Sequence, residues 1–148
     1  MRGLFYANYF NLVINLFTSF GYFKNKHEDQ KVLKSVANAL KPGGVFILDY
    51  FNAEVALKNL AAAEEKSVCD INFSIKKKIE NGFITKDISF SDKGKNYNYK
   101  EEVRAYTLPD FENLAASAGL KIAETFGDYK LGAFDKAVSE RLIITFVK

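Results

Sequence analysis

The order of apolar and polar positions divides this chain into elements. Leu12-Val13-Ile14-Asn15-Leu16-Phe17 is a short, nearly continuous apolar run. Such a run suits a strand covered on both faces of a parallel sheet, not one with a wet side. Thr18 to Lys26 reads as a loop, with Gly21 inside an aromatic cluster. From His27 to Leu40 the apolar residues (Val32, Leu33, Val36, Ala37, Ala39 and Leu40) recur at three- and four-residue spacing, which predicts a helix. Glu28 and Asp29 fall in its first turn and complement the positive end of the dipole. Pro42 cannot continue the helix, and Gly43 or Gly44 suits a left-handed C-terminal cap. Val45-Phe46-Ile47-Leu48-Asp49 then reads as a second buried strand. Strand, helix, Pro-Gly-Gly and strand make one right-handed βαβ crossover.

After a short predicted helix at about 54 to 65, the period changes from helical spacing to alternation. Ile71, Phe73 and Ile75 alternate with polar residues, as do Ile84, Ile88 and Phe90, and then Tyr97, Tyr99, Val103 and Ala105. Turns at Glu80-Asn81-Gly82 and Asp92-Lys93-Gly94 separate these runs, so an antiparallel three-stranded meander with one wet face is predicted. Thr107-Leu108-Pro109-Asp110 opens the last helix: Thr107 is a cap, Pro109 fits the first turn, and Asp110 stands where a capping-box acid would. Gly119 ends it, and Leu120 to Phe126 and Arg141 to Val147 read as two closing strands.

Composition narrows the function classes. A chain of 148 residues fits a single domain, here with 1–69 and 107–148 as an α/β portion and 70–106 as inserted strands. A net charge of +3 is too small for a nucleic-acid footprint, and Lys76-Lys77-Lys78 reads as the wet side of a strand. No run approaches the roughly 20 apolar residues of a membrane-crossing helix, so no membrane partner is expected. Cys69 is the single cysteine, which excludes an internal disulfide and fits a reducing, cytoplasmic setting. His27 is the single histidine and has no acidic or cysteine cluster around it, so no metal site is expected.

Several segments, in order, resemble one family. Phe10 to Phe23 is similar to the fourth strand and following loop of class I S-adenosylmethionine-dependent methyltransferases. Leu40-Lys41-Pro42-Gly43-Gly44 resembles the turn before their fifth strand, and Asp49 to Asn52 the Asp-x-x-Asn after it. Arg104-Ala105-Tyr106-Thr107 through Ala118-Gly119-Leu120 resembles their late arginine-tyrosine strand, last helix and Ala-Gly-hydrophobic turn. Asn11 stands where the family usually has Asp, so a polar side chain is kept and a charge is lost. The resemblance implies the C-terminal half of a Rossmann-like α/β sheet, with the inserted meander and a last antiparallel strand. A strand with a glycine-rich loop and a second strand ending in an acid would precede it in the family. Met1-Arg2 resembles the end of the family's Asp-Met-Arg, so the expectation is a reading frame that starts inside a longer methyltransferase.

By resemblance the cofactor is S-adenosylmethionine, with Met1 and Arg2 near its adenine and Asn15, Leu16 and Phe17 flanking its methionine portion. Phe20, Tyr22 and Phe23 would cover a small-molecule acceptor, where rings beside a sulfonium also offer cation–π attraction. The same rings are equally suited to a hydrophobic plug. Tyr50 and Asn52 end a strand at the edge where open α/β sheets bind ligands. Asp49 beside them is a carboxylate that nothing in the sequence marks as a general base, so no catalytic residue is assigned. Arg104 and Tyr106, two apart on one strand, would reach a substrate carboxylate or phosphate. The competing reading is a non-catalytic fragment that pairs its exposed sheet edge with a second copy or a partner. A dehydrogenase-like sheet is disfavoured by the meander and the antiparallel ending.

Overall fold

A computed structural model describes residues 5–60 and 63–148. The chain forms two compact units, Met1–Ala56 with Tyr106–Lys148, and Leu57–Ala105.

The first unit is an α/β sheet. Its strands are β1 (Phe10–Asn15), β2 (Leu40–Phe51), β7 (Lys121–Phe126) and β8 (Arg141–Val147), and its helices include α1 (Lys26–Ala39) and α3 (Leu108–Ala118). The spatial order is β1-β2-β8-β7, with β1 parallel to β2 and β8 antiparallel to both its neighbours. Phe46, Leu48 and Tyr50 of β2 lie in register with Phe146, Ile144 and Leu142 of β8. All six are essentially without solvent contact and form the floor of the core. Phe111 of α3 packs edge-on to Tyr50 at 5.1 Å, and α1 packs on both α3 and β2.

The strand covered on both faces, expected at Leu12 to Phe17, takes a different form. Leu12 and Ile14 are 48% and 51% exposed. Their register with Val45 and Ile47 puts them on the sheet face opposite Phe46 and Leu48, and β1 has β2 as its sole strand partner among the described residues. The strand also stops at Asn15, because Phe17 and Thr18 turn left-handed with φ 55° and 56°.

Local chemistry sets the helix ends. The Asn25 side chain accepts from the His27 amide at 2.9 Å and caps α1. Its other end has no left-handed cap: Leu40 is already extended, and the chain runs straight into β2. Gly43, at φ 72°, lies where the β1–β2 register shifts, while Gly44 lies where a Cβ would stand 2.8 Å from the Lys41 carbonyl and 3.2 Å from that of Phe10. Ahead of α3, the Asp110 carboxylate accepts from both the amide and the hydroxyl of Thr107, and Gly119 closes the helix at φ 75°.

The second unit is a four-stranded antiparallel sheet, β3 (Glu64–Val68), β4 (Ile71–Glu80), β5 (Phe83–Asp92) and β6 (Lys95–Arg104), in sequential order. The expected three-stranded meander thus has a fourth strand. The helix foreseen over about 54 to 65 ends early, as α2 (Ala53–Lys58), and Glu64 instead pairs with Ile75 of β4. Cross-strand pairing, including Lys77 Nζ to Glu64 at 2.6 Å, outweighs the helix propensity of the Ala-Glu stretch. Asn81-Gly82 and Lys93-Gly94 take the left-handed turn pairs that two-residue hairpins need. Lys78 faces Glu80 at 3.4 Å and Asp87 at 3.8 Å, so the lysine run lies among acids on a wet strand. Among the described residues, no helix is long and apolar enough to cross a membrane.

Candidate functional site

The carboxyl ends of parallel strands are where open α/β sheets place ligands, because loops diverge there and leave a crevice. In this chain that edge is the turn after β1 and the end of β2. The turn Leu16-Phe17-Thr18-Ser19 is closed by Ser19, whose amide and hydroxyl donate to the Leu16 carbonyl at 3.3 and 2.7 Å. Two consecutive non-glycine residues with positive φ cost on the order of 1–3 kcal/mol each unless their surroundings hold them.

Asp49, fully buried near the end of β2, holds this turn. Its Oδ2 accepts from the Phe17 amide at 2.8 Å and from the Tyr129 hydroxyl at 3.0 Å. Its Oδ1 accepts from Arg141 Nε at 2.8 Å and Nη2 at 2.5 Å. Arg141 Nη2 also donates to Thr18 Oγ1 at 3.2 Å, and the Thr18 amide donates to the Asp49 carbonyl at 3.1 Å. Four donors occupy the carboxylate, and through them Asp49 tethers the turn. The result of this tethering is an outward Phe17, 76% exposed, beside an exposed Leu16.

The other sequence-predicted residues are dispersed over the fold. Phe20, Tyr50 and Tyr106 come together, but inside the core around Phe111: ring centroids lie 5.9, 5.1 and 5.4 Å from it. The Tyr106 hydroxyl donates to buried Asp29 at 2.9 Å. Tyr22 and Phe23, with Ser19, Phe20, Gly21 and Val32, line a small cavity of about 120 Å³, and Tyr22 is exposed at its rim. Asn52 is a loop anchor: its Nδ2 donates to the carbonyls of Lys136 and Ser139 at 3.0 and 2.8 Å, and its Oδ1 accepts from the Glu54 amide at 3.1 Å. Asn15 is buried at the end of β1.

Arg104 ends β6 in the second unit, its guanidinium 4.3 Å from the centre of the Phe83 ring. Tyr106 lies beyond that strand and in the first unit, so the two do not share a strand face as the spacing implied. Met1 and Arg2 lie outside the described residues. Arg141 and Tyr129 were not foreseen. Arg141 is 92 residues from Asp49, and no local pattern announces the pairing.

No family model and no curated protein matches the chain by sequence. Solved structures do match by shape. An S-adenosylmethionine-dependent methyltransferase from Clostridium acetobutylicum superposes over 99% of this chain with a TM-score of 0.83 at 22% identity. An amino pentose methyltransferase from Micromonospora echinaspora, involved in calicheamicin biosynthesis, covers 99% with a TM-score of 0.74 at 14% identity. A sugar N-methyltransferase from Streptoalloteichus covers 95% with a TM-score of 0.70 at 15% identity. In turn, the chain spans 61%, 61% and 57% of these three proteins. Over that span, the fold of this chain is the Rossmann-like α/β fold of the class I S-adenosylmethionine-dependent methyltransferases.

Proposed function

We propose that this chain forms the acceptor side and one wall of the cofactor site of an S-adenosylmethionine-dependent methyltransferase acting on a small molecule. The observation that carries the reading is the Leu16–Phe17 turn, held outward at the carboxyl edge of the sheet by Asp49. Apolar surface at Leu16 and Phe17 fits the methionine portion of the cofactor, and the neighbouring Tyr22 ring offers a face to a cation. The cofactor, when bound, supplies the transferable methyl group on a sulfonium. The chain's own task is positioning: tethered backbone and exposed rings hold the acceptor in line and keep water from it. A small acceptor accords with the amino-sugar and sugar substrates of two of the neighbours named above. The remaining length of those proteins would carry the rest of the cofactor site, so this chain alone is expected to show little or no turnover.

Calorimetric titration with S-adenosylmethionine, of the chain and of a protein extended upstream to the length of those neighbours, tests the reading. Saturable one-to-one binding by the extended protein, weakened at least about tenfold in Phe17→Asp, is expected, because an apolar wall is replaced by a charge. Equal affinity of the extended protein and its Phe17→Asp variant, or no heat from either of these two, would overturn it.

A further inference from the structure

We infer that Arg141 and Asp49 are positioning residues that impose the left-handed Phe17–Thr18 turn and thereby set the shape of the ligand-facing edge. This deepens the functional reading above and rests on it for what the turn contacts.

The argument begins with residue types. A two-residue left-handed turn is ordinarily built from Asn-Gly or Asp-Gly, where the missing or short side chain tolerates positive φ. Here a Phe and a β-branched Thr occupy those positions. Neither has a local reason to be left-handed, so the cause lies elsewhere in the fold. Apart from the local Ser19–Leu16 bonds that close the turn, the polar contacts of the pair itself lead to one cluster. The Phe17 amide goes to the Asp49 carboxylate, the Thr18 amide to the Asp49 carbonyl, and the Thr18 hydroxyl to Arg141.

Arg141 is suited to this because its planar guanidinium reaches two acceptors at once. One edge grips Asp49 Oδ1 while Nη2 also reaches Thr18. Tyr129 completes the carboxylate from the 127–140 loop, itself anchored by Asn52. The cluster therefore joins three segments far apart in sequence at the point where the turn is made. Without it, Phe17 returns to ordinary extended backbone and its ring leaves the edge.

The test is spectroscopic and uses the full chain. In a labelled sample, left-handed residues give strong intraresidue amide–Hα cross-peaks, so Phe17 and Thr18 should stand out in the wild type. Arg141→Lys keeps the charge but not the fork, and is expected to weaken both cross-peaks at least about twofold while the Asp49–Ile143 cross-strand contacts persist. Adding Thr18→Gly, which takes positive φ without strain, should restore the Phe17 signal. Thr18→Val breaks only the Arg141–Thr18 bond and serves if Arg141→Lys does not fold. In the upstream-extended protein, affinity for S-adenosylmethionine should fall about tenfold with the turn and return with Thr18→Gly.

Unchanged cross-peaks in Arg141→Lys, or in Thr18→Val if that variant is needed, would overturn the inference. So would a lost turn with undiminished affinity. If the upstream-extended protein binds no S-adenosylmethionine while the turn still responds to Arg141→Lys, the clamp stands and the functional reading falls instead.

Discussion

Tyr106 donates its hydroxyl to Oδ2 of Asp29 at 2.9 Å, and both side chains are buried, at 2% and 0% exposure. The bond ties the segment before α3 to the first turn of α1. A carboxylate enclosed this far tolerates its position because polar groups answer it.

Tyr106→Phe removes the donor and leaves the acid in place. A loss of about 1–3 kcal/mol is expected, the cost of removing one hydrogen bond from a buried carboxylate. Urea denaturation measures it. A variant as stable as the wild type would show that the Tyr106 hydroxyl contributes nothing at this site.

Asn52→Ala deletes two donors to the carbonyls of Lys136 and Ser139 and one acceptor for the Glu54 amide. The 127–140 loop should become the first site of proteolytic cleavage, with a stability loss of about 1–3 kcal/mol. Cleavage at the same rate in both proteins would mean that the loop is held by its own internal contacts, such as Asp135 to Ser139.

Tyr129 carries a pH signature. Loss of water around its hydroxyl and its bond to Asp49 raise the phenol above its ordinary pKa, against the opposing pull of Arg141. Because the folded value is raised, its contribution to stability is full below the unfolded tyrosine pKa of about 10 and is lost as pH climbs through the higher folded value. Comparing tyrosinate absorbance in the wild type and Tyr129→Phe isolates this residue. A difference curve titrating at or below the ordinary value would show that the Asp49 bond is absent in solution.

Local chemistry was legible in the sequence. Thr107 with Asp110, Asn81-Gly82 and Gly119 do what their residue types dictate, because each acts within a few positions of itself. Two kinds of feature were not legible. Cys69-Asp70 and Phe17-Thr18 form left-handed turns without glycine, and both are dictated by strand pairing or distant side chains. Hence β3 went unforeseen, and Leu16 and Phe17 read as strand. Aromatic residues posed a different problem. Phe20, Tyr50 and Tyr106 share the composition of a binding pocket and of a core, and only their convergence on Phe111 tells which they form. The Asp49–Arg141 pair joins β2 to β8, which no window of sequence contains.

The place of β8 in the sheet has a kinetic consequence. Strand β2 obtains its second neighbour from a segment roughly a hundred residues further on, as in the pairing of Val45 with Val147. The β4–β5 and β5–β6 hairpins close over two-residue turns and pay almost no loop entropy. The antiparallel unit is therefore able to zip up early, while the floor of the α/β core waits for a high-contact-order closure. Amide exchange followed during refolding would see protection appear at Ile88 well before Leu48. The edge that holds Phe17 is then among the last parts of the molecule to be made, since Arg141, which braces it, arrives with β8.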